Sequence, residues 1–501
     1  MNNILPAITH IVNLSIENGK FPTDWKIAKI LPLHKKNDQL DPKNYRPVAI
    51  LPILSKVLEK AIFIQVSEYM SANDLLHRSQ HGFRRDHSTT TGLIEMYDKW
   101  VEAVDKGEYC GACFLDLSAA FDIVDHSLLV EKMKLYGFNE NSLTWVTSYL
   151  TERSQRVYLD GFLSDRLQVP TGVPQGSILG PLFYIIYTNE IPEVIHSQRC
   201  GNTCQDCGNV CSYADDSTLT VSSVDCQRIS SQLEENFVAV SEFMLSNKLK
   251  LNGDKTHLMM LATENAWRSK INDQSISLNT GQETIHCSKS EILLGGLISA
   301  DLKWSEYILH SENSLVKKLS FRLSALKNVA RLADFRTRKM IANGLFISKL
   351  IYLMPVWGGC DKYLLKALQL QQNKAARLVT NLGRYTPIRV LLHQCGWLSV
   401  HQLVFYHTVV LLYKVIQAES PKSIYSMIDS EFAYETRSKS AGKLKVQSRS
   451  PPRLNLCERS FRWRSVMCWN QLPSEITSIS KVDDFKKHLK LWVAKNIPVD
   501  P

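Results

Sequence analysis

Two acidic stretches decide the fold: residues 109–122 read YCGACFLDLSAAFD, and residues 210–223 read VCSYADDSTLTVSS. In the first, an apolar run ends at Asp116, which is the pattern of a buried strand. In the second, two β-rich arms flank Asp215 and Asp216, which predicts a tight hairpin. Neighbouring strands of one sheet would bring the three carboxylates close together.

Three clustered carboxylates repel one another unless cations bind between them. Hard oxygen ligands select Mg²⁺ or Mn²⁺. Two such ions, roughly 4 Å apart, clamp the attacking and leaving oxygens in phosphoryl transfer. An Asp-Asp pair in a hairpin is by itself usually turn chemistry. The third acid, Asp116 at the end of another strand, is what favours a metal site here.

The segments around these acids predict an α+β fold. Strands are expected within 25–38 and 44–56, a hairpin from QRVYLDG and RLQVPTG, and another strand at EILLGGLIS. Helices are expected over 4–16, 54–70, 93–105, 127–136 and 227–246, and a buried helix is expected after the glycine-rich turn of GVPQGSILGPLFYIIYTNEI. A Gly/polar loop is expected over 80–92, and mostly helix after residue 305. This order indicates a sheet with helices on one face.

Composition narrows the class of protein. The chain has 501 residues, of which 44% are hydrophobic and 22% charged, so it is neither disordered nor a disulfide miniprotein. It contains no run of 18 apolar residues, so no membrane span is expected. The apolar stretch at 4–16 lacks the basic flank and cleavage site of a signal peptide. We therefore expect reduced cysteines and a cytoplasmic or nuclear protein that is not secreted.

Positive charge is concentrated in one segment. The chain carries 59 Lys and Arg against 49 Asp and Glu, and residues 301–400 alone hold 16 against 5. A basic module on an otherwise balanced protein indicates a polyanion as partner. The alternatives are solvated helix faces or a nuclear-import signal.

The motifs FLDLSAAFD, GVPQGSILGPLF and YADD, in that order and spacing, resemble the reverse transcriptases of non-LTR retrotransposons, the jockey-like group in particular. GKFPTDWKIAKILPLHKKND, NYRPVAILPILSKVLEK, QHGFRRDHSTT, LKLNGDKT, LLGGLIS and SFRWRSVMCWNQLPSEI extend the resemblance over nearly the whole chain. It implies a right-hand polymerase with an N-terminal extension and fingers (1–108), a ferredoxin-like palm (109–302), a basic helical thumb (303–395) and a mostly helical C-terminal region (396–501).

The resemblance also implies roles for individual residues. Asp116 and Asp215 would bind two Mg²⁺ or Mn²⁺ ions, with Asp216 completing the trio. Lys255 matches a palm lysine that protonates the departing pyrophosphate, although an exposed turn lysine is nearly as good an interpretation. Phe121 matches the aromatic residue that blocks a ribose 2′-OH; otherwise it is core.

Further residues of the expected nucleotide site follow from the same motifs. Gln175 and Gly176 would hold the template base and the incoming nucleotide, or form only a helix-start turn. Lys35 and Arg46 would grip the triphosphate, for which the Arg fork is well suited, or be surface charges. Asp122 is expected to cap or brace the strand–helix turn.

The basic segment falls where the thumb belongs. There a duplex leaving the palm needs phosphate contacts that do not depend on base sequence. The residues expected to bind nucleic acid are Lys317, Lys318, Arg322, Arg331, Arg336, Arg338 and Lys339.

Four cysteines stand just before YADD, in CGNTCQDCGNVC. Cys200, Cys204, Cys207 and Cys211 could bind a structural Zn²⁺ tetrahedrally. The usual zinc knuckle separates its cysteine pairs by more residues, so a reduced loop without metal remains the other interpretation.

The function implied is an RNA-directed DNA polymerase that uses an RNA template, a DNA primer, deoxynucleoside triphosphates and Mg²⁺. One alternative is a catalytically idle relic that only binds nucleic acid. Another is an RNA-dependent RNA polymerase, against which Phe121 argues, because a ribonucleotide polymerase needs space at that position. The motifs start at the leading edge of the polymerase, so any endonuclease is expected to come from elsewhere.

Overall fold

The computed structural model describes residues 4–35, 38–117, 120–197, 208–269, 277–279, 284–429, 443–447 and 451–500. Its strands, in chain order, are β1 (Ile27–His34), β2 (Tyr45–Ile50), β3 (Tyr109–Leu115), β4 (Arg153–Leu159), β5 (Phe162–Leu163), β6 (Leu167–Val169), β7 (Asn209–Tyr213), β8 (Asp216–Ser223), β9 (His257–Leu261), β10 (Ser277–Asn279), β11 (Thr284–Ser288), β12 (Ser290–Leu293), β13 (Gly296–Ser299), β14 (Ile428–Asp429) and β15 (Lys445–Val446).

The first helices are α1 (Leu5–Glu17), α2 (Ile53–Ala72), α3 (Thr89–Asp105), α4 (His126–Leu135), α5 (Glu140–Leu150), α6 (Leu179–Tyr187), α7 (Ile191–Ser197), α8 (Cys226–Ser246) and α9 (Glu264–Ser269). Those after the sheets are α10 (Leu315–Ala330), α11 (Phe335–Ala342), α12 (Ser348–Leu350), α13 (Met354–Trp357), α14 (Lys362–Thr380), α15 (Ile388–Cys395), α16 (Val400–Ala418) and α17 (Lys422–Tyr425), then Asn455–Glu458, Phe461–Trp469, Ser474–Thr477 and Val482–Asn496. The fold is α+β and mostly helical after residue 305, as predicted.

The central sheet has the order β10-β11-β9-β3-β8-β7, with β3 antiparallel to both β8 and β9. Successive residues of β3 enter different cores. Cys110 and Ala112 join one core, whereas Cys113 and Leu115 join the other. A strand that is buried on both faces reads as a continuous apolar run, which is why β3 shows no polar alternation.

Helices cover both faces of this sheet, so the expectation of helices on one face is wrong. Helices α6 and α8 supply one core, and α3 supplies the other together with α10, α13, α14 and α16. The order of elements along the chain could not reveal this, because all the helices of this layer except α3 come from far along the sequence. The described parts of the thumb and C-terminal region thus share a core with α3, and the domain boundaries stay predictions.

A second sheet combines strands that come before and after β3 in the chain. The predicted strands β1 and β2 pair antiparallel, and β4 pairs with β6 as the predicted hairpin. Strand β4 also lies parallel to β1, which joins the two pairs into a single sheet.

Two local predictions are wrong. EILLGGLIS is a hairpin of β12 and β13 rather than one strand, because Leu294 and Gly295 both take positive φ at its turn. The polar loop over 80–92 ends early, since the Ser88 side chain accepts a hydrogen bond from the Thr91 amide and caps α3 at Thr89. Helix α5 was not predicted.

Among the described residues, no single helix has the length and hydropathy needed to cross a membrane. Helices α15 and α16 meet that criterion only as a pair, with a bend of 42° between them. Their apolar side chains, such as those of Leu391 and Val409, are buried in the protein core.

Candidate active site

The three predicted aspartates come together at one end of the central sheet. Asp116 directly follows β3, and Asp216 opens β8. Leu115 pairs with Ser217 in the ladder, so Asp116 lies level with Asp216. Asp215 stands in the two-residue turn between β7 and β8, which is closed by the Tyr213–Asp216 pair. The tight hairpin predicted from YADD is therefore confirmed.

Burial and mutual repulsion perturb these acids. Burial raises the pKa of Asp216 to about 6, and the neighbouring Asp215 and Asp116 carboxylates add to the shift. Burial and Asp116 also raise the pKa of Asp215, while Arg46 and Lys35 oppose that rise. The charges of Lys35 and Arg46 thus act on Asp215, and that of Lys35 acts on Asp216 as well. Raised pKa values on clustered carboxylates indicate a site that a divalent cation would neutralise.

The carboxylates do not converge as closely as the sequence suggested. Within the described part of the chain, the only trio of His, Cys, Asp or Glu whose ligand atoms all lie within 4.8 Å is His81, Glu95 and Cys211. The three aspartates do not form such a trio. Three carboxylates are suitable ligands for Mg²⁺ or Mn²⁺, although their oxygen atoms do not all lie within 4.8 Å of one another.

Lys255 lies on the first aspartate. Its Nζ donates to Asp116 Oδ2 at 2.9 Å. Lys255 ends a short 3₁₀ helix, Gly253–Lys255, and the preceding Asn252 amide donates to the Asp116 carbonyl at 2.9 Å. Asp116, Asp216 and Lys255 line one cleft. The predicted palm lysine is therefore beside the acids, and it is also exposed in a turn, so its role stays a prediction.

Phe121 lies at the edge of the core. Its half-buried ring packs on Tyr184 with centroids 4.7 Å apart, and it meets the Phe83 ring edge to face with centroids 6.4 Å apart. Tyr184 feels the charges of Asp215 and Asp216, which add to the burial that raises its pKa. Phe121 thus packs on a tyrosine on which the charges of Asp215 and Asp216 act.

The PQG turn is fixed between β2 and the segment after β3. The Gln175 carbonyl accepts from the Ala49 amide at 2.7 Å. Gly176 has φ +120°, and a Cβ there would lie 2.6 Å from the Ala49 carbonyl oxygen, so glycine is required. Gln175 Nε2 donates to both oxygens of Asp122, at 2.9 and 3.0 Å. Asp122 therefore braces the PQG turn.

The basic residues of the thumb lie on α10 and α11 or at the end of α10. Lys317, Arg331 and Arg336 are exposed. Arg322 and Arg338 are partly used inside the thumb, because they donate to the carbonyls of Leu345 and Ala330. Lys318 and Lys339 are half-buried.

Three residues of the cysteine cluster, Cys200, Cys204 and Cys207, lie outside the described residues. Cys211 is buried in β7, and burial raises the pKa of its thiol. The zinc site remains a prediction.

Two further residues contact the motifs, and the sequence analysis missed both. Glu59 of α2 is fully buried, and its carboxylate accepts from the Ile178 amide at 2.6 Å, at the start of α6. Gln80 accepts from the Ala214 amide at the tip of the catalytic hairpin. A Glu within the apolar pattern of α2 was the only local signal for the first, and nothing local marked the second.

Comparison with known proteins agrees with this geometry. The family model "Reverse transcriptase (RNA-dependent DNA polymerase)" matches residues 33–294. The probable RNA-directed DNA polymerase from transposon BS of Drosophila melanogaster is 27% identical, over 79% of this chain and 43% of its own length. The RNA-directed DNA polymerase from mobile element jockey of the same species is 27% identical, over 77% and 41%. The chain thus spans about two fifths of the length of these curated relatives.

Among solved structures, telomerase from Candida tropicalis in complex with a fragment of telomeric RNA covers 99% of this chain and 68% of its own, with 11% identity and a TM-score of 0.43. The family model covers more than half of the chain, and the similar relatives come from non-LTR elements, as the motifs predict. The chain therefore belongs to the reverse transcriptase (RNA-dependent DNA polymerase) family, alongside the polymerases of jockey-like non-LTR retrotransposons.

Proposed function

We propose that this chain extends a DNA primer on an RNA template from deoxynucleoside triphosphates. The observation that carries the proposal is the meeting of Asp116, Asp215 and Asp216 at one sheet end, faced by Lys35 and Arg46. Phosphoryl transfer requires acids that hold metal ions and basic side chains that hold phosphates.

The three aspartates would hold two Mg²⁺ or Mn²⁺ ions. When bound, such ions supply charge stabilisation at the attacking and leaving oxygens. The raised pKa values of Asp215 and Asp216 support this assignment, because ionising these acids in a half-buried cluster is unfavourable without a neutralising cation.

The basic side chains serve the triphosphate and its departing pyrophosphate. Lys35 and Arg46 bind the phosphates from the side of the second sheet. Lys255 neutralises Asp116 before substrate enters and carries the proton that the pyrophosphate takes up on leaving. Its position beside the acid is what supports that role.

Phe121 and the PQG turn select the nucleotide. The Phe121 ring lies under the sugar and excludes a 2′-hydroxyl by steric overlap. Gln175, oriented by Asp122, and Gly176, where no Cβ fits, let the backbone approach the template base and the incoming nucleotide.

Beyond the palm, the exposed basic residues of the thumb bind the phosphates of the RNA–DNA duplex. We also propose a cytoplasmic or nuclear location. Nine cysteines within the described residues are free, which suits a reducing compartment.

Primer extension on poly(rA)–oligo(dT) with the purified chain tests the proposal. We expect Mg²⁺-dependent extension by the wild type and, for Asp116→Ala and Asp215→Ala, a loss of about a hundredfold or more, because each change removes a ligand that stabilises transferred charge. Asp225→Ala is the matched control, since this exposed aspartate caps α8 beyond the far end of β8.

Extension retained within tenfold by both site variants would contradict the metal assignment. Binding of primer–template without extension would instead indicate the idle, binding-only relic. Equal use of ribonucleotides would indicate an RNA polymerase.

A further inference from the structure

The segment Ser79–Gly82 lies against the catalytic hairpin although 130 residues separate them in sequence. The Ser212 amide donates to the Ser79 carbonyl at 2.9 Å, and the His81 amide donates to the Ser212 carbonyl at 2.8 Å. These bonds form a parallel bridge between Gln80 and Ser212. Gln80 thus adds one paired residue beside Ser212 of β7, two positions before the turn that carries Asp215.

Gln80 reaches from this bridge to the turn itself. Its Oε1 accepts from the Ala214 amide at 3.0 Å and from the Gly82 amide at 2.8 Å. Gln80 is 3% exposed and Ala214 is 6% exposed, so both residues are too buried for water to replace either hydrogen bond. Ala214 has φ +58°, which is strained for a residue with a side chain. The bond therefore stabilises an unfavourable conformation directly before Asp215.

The contact between Gly82 and Ala214 is too close for a side chain at Gly82. A Cβ at Gly82 would lie 2.4 Å from the Ala214 nitrogen. Glycine at this position allows the segment to lie flat on the turn.

The other end of the segment is anchored to α3. His81 Nε2 is 2.7 Å from Glu95 Oε2, and Lys99 Nζ donates to Glu95 Oε1 at 2.8 Å. Both His81 and Glu95 are buried. Burial favours a higher pKa for Glu95, but the charges of Lys99 and His81 outweigh it and hold that pKa well below its usual range. The segment thus connects a buried helix to the catalytic turn.

We propose that Gln80 is a positioning residue of the polymerase site, which holds the catalytic turn through the Ala214 amide and so sets where Asp215 and Asp216 stand. The inference rests on the proposed function for its consequence, namely that these acids bind cations. Without the bond, the buried Ala214 amide loses its acceptor, and the turn can relax away from its strained conformation. The acids then present a less suitable pair to a cation.

Binding of Mn²⁺ alone tests this inference. The full chain is titrated with Mn²⁺, and the electron paramagnetic resonance signal measures the free ion. Asp215→Ala defines the signal that belongs to the site. Gln80→Met keeps the length of the side chain and removes the acceptor. We expect it to raise the Mn²⁺ dissociation constant of the site about tenfold, the effect of one lost buried hydrogen bond. Gln80→Glu keeps an acceptor for both amides and should stay within about threefold of the wild type.

Gln402→Met is the matched control. Gln402 is also buried, accepts from the Ser399 amide and donates to the Ile497 carbonyl, far from the acids. Both Met variants should lower the thermal midpoint, but only Gln80→Met should weaken Mn²⁺ binding. Equal Mn²⁺ affinity in the two Met variants would overturn the inference. If Gln80→Met does not fold, Gln80→Asn replaces it, because the shorter amide stays polar but draws its oxygen away from Ala214.

Primer extension separates this inference from the proposed function. If the wild type extends primers and Gln80→Met binds Mn²⁺ as tightly as the wild type, only the role of Gln80 is overturned. A wild type that does not extend primers, with weakened Mn²⁺ binding in the variant, overturns only the proposed activity. Equal binding by the wild type and Asp215→Ala overturns the metal site and the inference together.

Discussion

The ring of Phe121 is supported on one face and at one edge. Tyr184 lies 4.7 Å away at an angle of 37°, and Phe83 approaches edge-on. Such packing fixes the orientation of a ring at little entropic cost. A fixed ring can exclude a hydroxyl group, whereas a mobile one would yield to it. The aromatic neighbours of Phe121 are therefore part of its proposed selectivity.

Replacing Phe121 by Val should raise ribonucleotide incorporation and leave the use of deoxynucleotides largely intact, because the smaller side chain opens space under the sugar. Competition between the two nucleotide types in primer extension measures this. Phe138→Val is the control, since Phe138 is also half-buried and packs on one aromatic ring, that of Tyr69 at 4.9 Å. Unchanged sugar discrimination in Phe121→Val would mean that Phe121 only fills the core.

At this scale the sequence predicts which acids matter but not what holds them. Asp116, Asp215 and Asp216 stand where strands end, and local pattern is enough to find such positions. The partner of Ala214 is Gln80, 134 residues away, and Asp122 bonds Gln175, 53 residues away. Such pairings depend on how elements pack, which local pattern does not contain.

Among the elements, α3 links the palm to the C-terminal region. Its Asp98 accepts from the amides of Phe461 and Arg462, at the start of the helix Phe461–Trp469. Glu102, one turn further on, pairs with Arg462. Asp105, two turns further on, accepts from the Leu454 amide. Carboxylates of one helix thus satisfy amides that open other segments.

Burial raises the pKa of Asp98 to about 6, against the hydrogen bonds and arginines that lower it. An unfolded Asp has a pKa of about 3.9. Between these values the folded state binds more protons than the unfolded state, so the free energy of unfolding falls as pH rises. We expect Asp98→Asn to lack this fall. Urea midpoints of both proteins between about pH 4 and pH 6.5 measure it.

Asp105→Asn is the control for loss of an amide acceptor on the same helix, because Asp105 is less buried. If wild type and Asp98→Asn keep a constant difference in midpoint over that range, Asp98 does not titrate as described.

Element types were largely predictable and their layering was not. The six helices predicted before residue 250 are present as α1, α2, α3, α4, α6 and α8, because apolar residues mark each of them in the sequence. The turn of β12 and β13 was missed, since apolar residues continue through it. The second helical layer on the sheet was missed because all its helices except α3 are contributed by residues after 302, beyond any local window.

For the whole molecule, the most informative feature is the uneven distribution of charge. The segment 301–400 carries 16 basic and 5 acidic residues, and part of that charge is used inside the fold. Arg338 donates to the Ala330 carbonyl at 3.4 Å, and Arg322 donates to Leu345. Lys317, Arg331 and Arg336 are exposed instead. The structure therefore distinguishes basic residues that can contact a duplex from those that stabilise the thumb, which composition cannot do.

Changing Lys317, Arg331 and Arg336 together to Gln should weaken binding to primer–template and make it less sensitive to salt. Each phosphate contact contributes a log–log slope of about −0.9 on B-form duplex, so losing three should reduce the slope by roughly two to three units. The loss should be similar on unrelated sequences, because phosphates carry no base identity. Changing Lys481, Lys487 and Lys495, exposed residues near the C-terminus, alters net charge equally. Affinities measured across a salt series decide: an unchanged slope in the thumb variant, or an equal reduction in both, would show that the thumb helices make no specific contact with the duplex.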